Sequence, residues 1–226
     1  MSSDDKIKKL LSKLVFKSKL YLYLLKQKVF FKYIEALSLF MKKQIVIFIS
    51  GKGSNALNII NYFSNTENLK VSHVFSNNKE SSFFDHKLNS NITVSYFHND
   101  DLKTKVLKEL QYIKPDLIVL AGFLKKIPKS YFDYFKKMII NIHPSLLPKY
   151  GGKGMYGIKI HNKIIENNET ETGITIHYVS EQYDSGEIIF QKKIIVGDND
   201  TAKKNEKKIH KLEHKYLPKI IESILV

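Results

Sequence analysis

The sequence predicts an α/β fold: a mostly parallel twisted sheet with flanking helices, turning antiparallel toward the C-terminus. Three observations carry this. Short continuous apolar runs such as Ile45–Ile49 and Leu117–Ala121 suit strands buried on both faces, as parallel strands are. Segments with helical apolar spacing alternate with them. After residue 170 the runs lengthen and partly alternate, which suits antiparallel strands.

In chain order, Ile45–Ile49 is the first strand. A helix over Ala56–Phe63 follows, with Leu57, Ile60, Ile59 and Phe63 inward. Val71–Phe75 and Ile92–Phe97 are strands. Leu102–Ile113 is a helix that must stop before Pro115, because proline disfavours helical backbone in the residue ahead of it. Leu117–Ala121 is a strand, Tyr131–Lys136 a short helix and Met138–Ile142 a strand. Beyond the loop 144–157, His161–Asn167 is a helix. Gly173–Val179 and Ile188–Val196 are the antiparallel pair. A last helix starts at Asp200 or Thr201, with Ile209, Leu212, Tyr216, Ile220 and Ile224 inward.

Residues 1–40 stand apart as a lysine-rich helical extension: nine lysines face only Asp4, Asp5 and Glu35. Their apolar runs are too short for a transmembrane helix, and no cleavage site of the signal-peptide kind follows. A basic surface helix, a targeting presequence and leader sequence outside the folded domain are the three readings. Met41 directly precedes the first strand, which favours the third and makes 41–226 the main domain.

The 226 residues suit one domain with a proper core. Cysteine is absent, which excludes disulfides, thiolate nucleophiles and Cys-ligated zinc. The net charge is +15, with every basic residue a lysine. Such a balance suits polyanions, but Lys, Asn and Ile share A/T-rich codons, so drift in composition explains it as well. Without arginine the chain also lacks the planar fork best suited to phosphate.

Four segments carry chemistry. Ser50-Gly51-Lys52-Gly53-Ser54-Asn55 joins the first strand to the first helix, where glycines and a helix N-terminus can cradle a phosphate. A plain βα turn with Ser or Asn as cap explains it equally. Ala121-Gly122-Phe123-Leu124 ends a parallel strand, on the edge where open sheets bind ligands, though by themselves these residues fit an ordinary strand-to-helix turn better. In Asn141-Ile142-His143-Pro144, strand alternation puts Asn141 and His143 on one face. An amide and an imidazole together suit acyl chemistry, the first stabilising an oxyanion and the second handling protons. Asp184 lies in a loop between two strands, from which a carboxylate can be aimed at an imidazole; a solvated turn Asp fits the same residues.

In this order the segments resemble the phosphoribosylglycinamide formyltransferase family, folate-dependent enzymes of purine synthesis. The resemblance runs from Met41 to near the C-terminus. It rests on Ile49–Asn55, Leu120–Phe123, Asn141–Tyr150, Thr172-Gly173 with His177 and Asp184, and Leu212-Glu213-His214. It implies the formyltransferase fold, with a Rossmann-like N-terminal half. It also implies 10-formyltetrahydrofolate as co-substrate, glycinamide ribonucleotide as acceptor and direct transfer without metal. Asn141, His143 and Asp184 would be catalytic. Gly53, Ser54, Asn55, His210 and Glu213 would hold the ribonucleotide. Leu124, Lys125, Lys126 and Ile127, with Asn141 and Ser180, Glu181, Gln182, Tyr183 and Asp184, would hold the folate. The departures are the long loop Gly151–Gly157, lysine at 125, no basic residue near Asn99 for the folate tail, and Asn205 at an expected apolar position.

Methionyl-tRNA formyltransferase and formyltetrahydrofolate deformylase share parts of this pattern, but each is expected to carry a further domain. A basic nucleic-acid or membrane-surface binder is the reading from another class. The expectation is a monomer or homodimer in the cytoplasm that needs no nucleic acid.

Overall fold

The computed structural model describes residues 42–88 and 91–226, together with Tyr23, Gln27 and Lys28. Two compact units divide the chain at Lys42 and Lys43. In the first, the three described residues are helical and the Gln27 amide donates to the Tyr23 hydroxyl (3.0 Å). The expected start at Met41, and otherwise the 1–40 extension, lie outside the described residues.

In the second unit seven strands form one sheet. They are β1 (Lys43–Ile49), β2 (Leu69–Ser76), β3 (Thr93–Tyr96), β4 (Leu117–Leu120), β5 (Ile139–His143), β6 (Glu171–Tyr178) and β7 (Ile188–Ile195). Their order is β3-β2-β1-β4-β5-β6-β7. The first five run parallel; β6 pairs antiparallel with β5, and β7 with β6. The sheet therefore changes character at β5, whose last residues are Asn141, Ile142 and His143.

Alternation along β1 explains the layers. Ile45, Ile47 and Ile49 enter one apolar core and Val46 and Phe48 the other, all with no exposed surface. Helices α1 (Ser54–Phe63) and α5 (Ala202–Leu225) close the first core, and α2 (Lys105–Ile113) and α3 (Ser130–Tyr134) the second. Phe48, Phe75, Phe97 and Phe123 meet in that second core, with ring centroids 5.2 to 6.3 Å apart. Helix α4 (Ile158–Glu166) buries Ile160, His161 and Ile164.

In this unit the expected elements are all present, with two differences. The helix expected over 102–113 is a 3-10 turn over Asn99–Lys103 followed by α2; Thr104, at φ −125° and ψ −80°, interrupts it. α2 ends at Lys114, whose left-handed backbone (φ 51°) turns the chain ahead of Pro115. In α5 the buried row is Asn205, Ile209, Glu213, Leu217, Ile221 and Leu225, so Leu212, Tyr216, Ile220 and Ile224 flank it, half-buried. Reading apolar residues alone misplaced the face by one position, because Asn205 and Glu213 occupy it. α5 begins with Thr201, whose hydroxyl accepts from the Lys204 amide (3.2 Å).

Candidate active site

Antiparallel register brings β5 and β6 side by side as Asn141 with His177 and His143 with Thr175, all four on one face. His143 and His177 are buried, at 4% and 2% exposure. Asp184 arrives from the loop between β6 and β7, its backbone held in the left-handed region (φ 52°).

The hydrogen-bond senses can be read in turn. His177 Nδ1 lies 2.9 Å from the Tyr178 carbonyl, which can only accept, so Nδ1 carries the hydrogen. Its Nε2 is then bare and accepts from Asn141 Nδ2 (3.1 Å). That fixes the Asn141 amide with nitrogen toward His177. Burial lowers the His177 pKa from the ordinary imidazole value, against the opposing pulls of the Tyr178 carbonyl and of Asp184, whose Oδ1 lies 3.7 Å from Nε2, and so favours the neutral ring.

His143 is placed differently. Its Nε2–H donates to the Tyr150 carbonyl (2.8 Å), and its Nδ1 faces Asp184 Oδ1 at 3.5 Å. Acceptors thus stand at both ring nitrogens of His143. Asn141 Nδ2 also lies 3.5 Å from Asp184 Oδ1. Amide and imidazole thus converge on one carboxylate oxygen through contacts long enough to yield to a better-placed partner. The other oxygen, Oδ2, accepts from the Gly152 amide (2.8 Å).

The 144–152 loop is held by buried polar contacts. The Thr175 hydroxyl donates to the Ser145 carbonyl (2.7 Å) and accepts from Leu147 N (3.0 Å) and Gln191 Nε2 (2.9 Å). Ser145 Oγ donates to the Lys149 carbonyl (2.7 Å), and the Tyr150 hydroxyl donates to Glu169 (2.9 Å). Gly186 closes the Asp184 loop where no side chain fits, since a Cβ there would sit 1.7 Å from the Tyr178 carbonyl oxygen.

A cleft opens beside this cluster. Lys125, Lys126, Ile127, Asn141, Ser180, Gln182, Tyr183 and Asp184 line it, as expected from the sequence, and so do Leu120, Phe123, His177 and Val179. Leu124 and Glu181 are not among the lining residues. Leu124 is exposed and turns its amide to Ser50 Oγ (3.0 Å), while Glu181 faces Lys129 across 3.6 Å. His177 had a sequence signal: two residues beyond Thr175 on a strand, it shares that residue's face.

The second predicted group gathers at the glycine loop before α1. Gly53 has φ 72°, and a Cβ there would lie 2.4 Å from Phe83, so only glycine fits. Ser81 Oγ donates to the Gly51 carbonyl (2.6 Å). Asn55 Nδ2 donates to Glu213 Oε2 (2.9 Å), and His210 Nε2 lies 3.9 Å from the same oxygen. Burial raises the Glu213 pKa, and the Asn55 hydrogen bond offsets only part of the rise. Among the described residues no cluster of three His, Asp or Glu could hold a metal ion, and no helix is long and apolar enough to cross a membrane.

Fold and site together define an open α/β sheet with a polar Asn–His–Asp cluster beside a strand-end cleft. The chain belongs to the formyl transferase family, whose model matches residues 43–221. It is 36% identical over 191 residues to a chloroplastic phosphoribosylglycinamide formyltransferase of Arabidopsis thaliana, covering 81% of this chain and 65% of the relative. It thus spans less than two thirds of that plant relative's length. To the phosphoribosylglycinamide formyltransferase of Haemophilus influenzae it is 32% identical over 187 residues, covering 80% of this chain and 86% of the relative. Among solved structures, glycinamide ribonucleotide transformylase 1 of Geobacillus kaustophilus superposes with a TM-score of 0.74 at 26% identity, covering 82% of this chain and all of that one.

Proposed function

We propose that this protein transfers the formyl group of 10-formyltetrahydrofolate to the amine of glycinamide ribonucleotide, in purine synthesis. The observation that carries the proposal is the convergence of Asn141 and His143 on Asp184 beside the cleft. The relatives' names agree with it.

The cleft suits a flat heterocycle. Leu120, Phe123, Ile127 and Val179 give apolar walls, and the polar groups gather at one end. Bound there, the folate supplies an activated formyl carbon. Lys125 and Lys126 offer the cationic rim that an anionic tail would need. Gly53, Ser54 and Asn55 hold the phosphate and ribose of the acceptor, with Glu213 and His210 behind them.

The long contacts to Asp184 set the roles. As the acceptor amine attacks the formyl carbon, negative charge develops on the formyl oxygen. Asn141 Nδ2–H and His143 Nδ1–H turn to that oxygen from their 3.5 Å contacts, while His177 and the Tyr150 carbonyl keep both side chains in place. Asp184 stabilises the imidazolium through its charge and takes part in relaying the amine's proton to the folate N10. The bond from N10 to the formyl carbon breaks as the tetrahedral intermediate collapses, and tetrahydrofolate leaves. His177 orients Asn141. We further infer a cytoplasmic protein acting as monomer or homodimer.

A spectroscopic formyl-transfer assay with glycinamide ribonucleotide tests the proposal. The chain should be active, and His143→Ala and Asp184→Asn should each lower kcat by about 10²- to 10⁴-fold. An inactive chain overturns the reaction, and full activity in His143→Ala overturns the mechanism.

A further inference from the structure

Ser50 joins the two sites through one residue, and the roles assigned above leave it without a task. It stands directly past β1 and before the glycine loop. Its backbone amide donates to the Gly122 carbonyl (3.1 Å), and its hydroxyl accepts from the Leu124 amide (3.0 Å). The same hydroxyl donates to Asn77 Oδ1 (2.7 Å), past the end of β2. Asn77 Nδ2 in turn donates to Asn99 Oδ1 (2.9 Å), past the end of β3. A hydroxyl has one hydrogen and two lone pairs. Asn77 takes the hydrogen, so the lone pairs are left for Leu124. The polar chain has one consistent direction and crosses the carboxyl ends of four adjacent parallel strands.

We propose that Ser50 is a positioning residue that sets the spacing between the two substrate sites. On one side, Ser50 leads within three residues to Gly53, which begins the ribonucleotide loop. On the other, its two hydrogen bonds pin the 122–124 turn, from which Phe123, Lys125, Lys126 and Ile127 reach the cleft. A reaction between two bound substrates depends steeply on their separation, and a misplacement of about 1 Å can cost roughly 100-fold in rate. A clamp between the loops therefore acts on the chemical step and not on either affinity alone.

The inference rests on the formyl-transfer reading, and its test separates the two. Ser50→Ala and Ser50→Thr are made in the full chain. Steady-state kinetics are measured with glycinamide ribonucleotide and 10-formyltetrahydrofolate, and Leu124 amide exchange is followed by NMR. Ser50→Ala should lower kcat roughly 10- to 100-fold with both KM values little changed. It should also speed Leu124 exchange roughly tenfold. Ser50→Thr keeps the hydroxyl and should restore both. An unchanged kcat in Ser50→Ala, equal losses in Ala and Thr, or a rise confined to the folate KM overturns the inference while the reaction stands. If the unmodified chain transfers no formyl group, both readings fall.

Discussion

His161 gives a stability prediction whose size follows from its surroundings. The ring is 1% exposed within α4, and its Nδ1 lies 3.5 Å from Asn205 Nδ2 on α5. Burial, then the nearby His210 and His143, bring its pKa down from 6.5 to about 4. Above 6.5 the ring is neutral in both folded and unfolded chains and contributes no slope. Between 6.5 and about 4 only the unfolded chain takes the proton, so stability is lost as the pH falls through that window. The loss is about 2 kcal/mol by pH 5 and approaches about 3 kcal/mol below pH 4. Glu213, whose pKa is raised by burial, contributes with the opposite sign, so the wild-type slope alone does not isolate His161. His161→Gln removes the titration and retains a partner for Asn205, and the other groups cancel in the comparison. Urea melts at pH 7 and pH 5 should show wild type losing about 2 kcal/mol more than the variant. Equal losses in the two proteins would refute the assignment of a buried neutral imidazole.

Two further substitutions test how the site is supported. Thr175→Val keeps the shape but leaves the buried Leu147 amide without its acceptor and the Ser145 carbonyl without its donor, which should cost about 1–3 kcal/mol for each unsatisfied group. Urea melts read the cost, and because the 144–150 loop carries the Tyr150 carbonyl that anchors His143, kcat should fall as well; an unchanged midpoint would count against the network. Gly186→Ala drives a Cβ into the Tyr178 carbonyl and should destabilise by about 1–3 kcal/mol or more while displacing Asp184. Thermal melts with formyl-transfer rates check both effects, and a fully active, equally stable variant would contradict the packing described.

Much of the sheet was legible because its strands are buried on both faces. β1 and β4 read as unbroken apolar runs, and the longer, partly alternating runs of β6 and β7 pointed to their antiparallel pairing. The inner face of α5 was less legible, because apolar periodicity cannot register a buried Asn205 or Glu213. Those residues are tolerated inside by partners supplied from elsewhere, His161 from α4 and Asn55 from α1. At the site, the shared face of Asn141 and His143 followed from strand alternation alone. The neutral state of His177 did not, since it depends on a carbonyl and an amide that only the folded register brings within reach. Ser50 was hidden for the same reason: its partners Asn77 and Leu124 are 27 and 74 residues away.

The left-handed backbone of Asp184 reaches beyond the reaction. Few residues rest comfortably at such a φ; glycine, asparagine and aspartate do so best, and β-branched side chains are excluded. Natural variation at this position is thus filtered by conformation before chemistry is tried. A lineage that abandons the carboxylate has two easy exits, to asparagine or to glycine; both suit the backbone turn, and asparagine also keeps an acceptor for the Gly152 amide. On the proposed mechanism, inactive descendants of this fold should therefore still be folded, and a single nucleotide change from an Asp codon to an Asn or a Gly codon would be enough to found one.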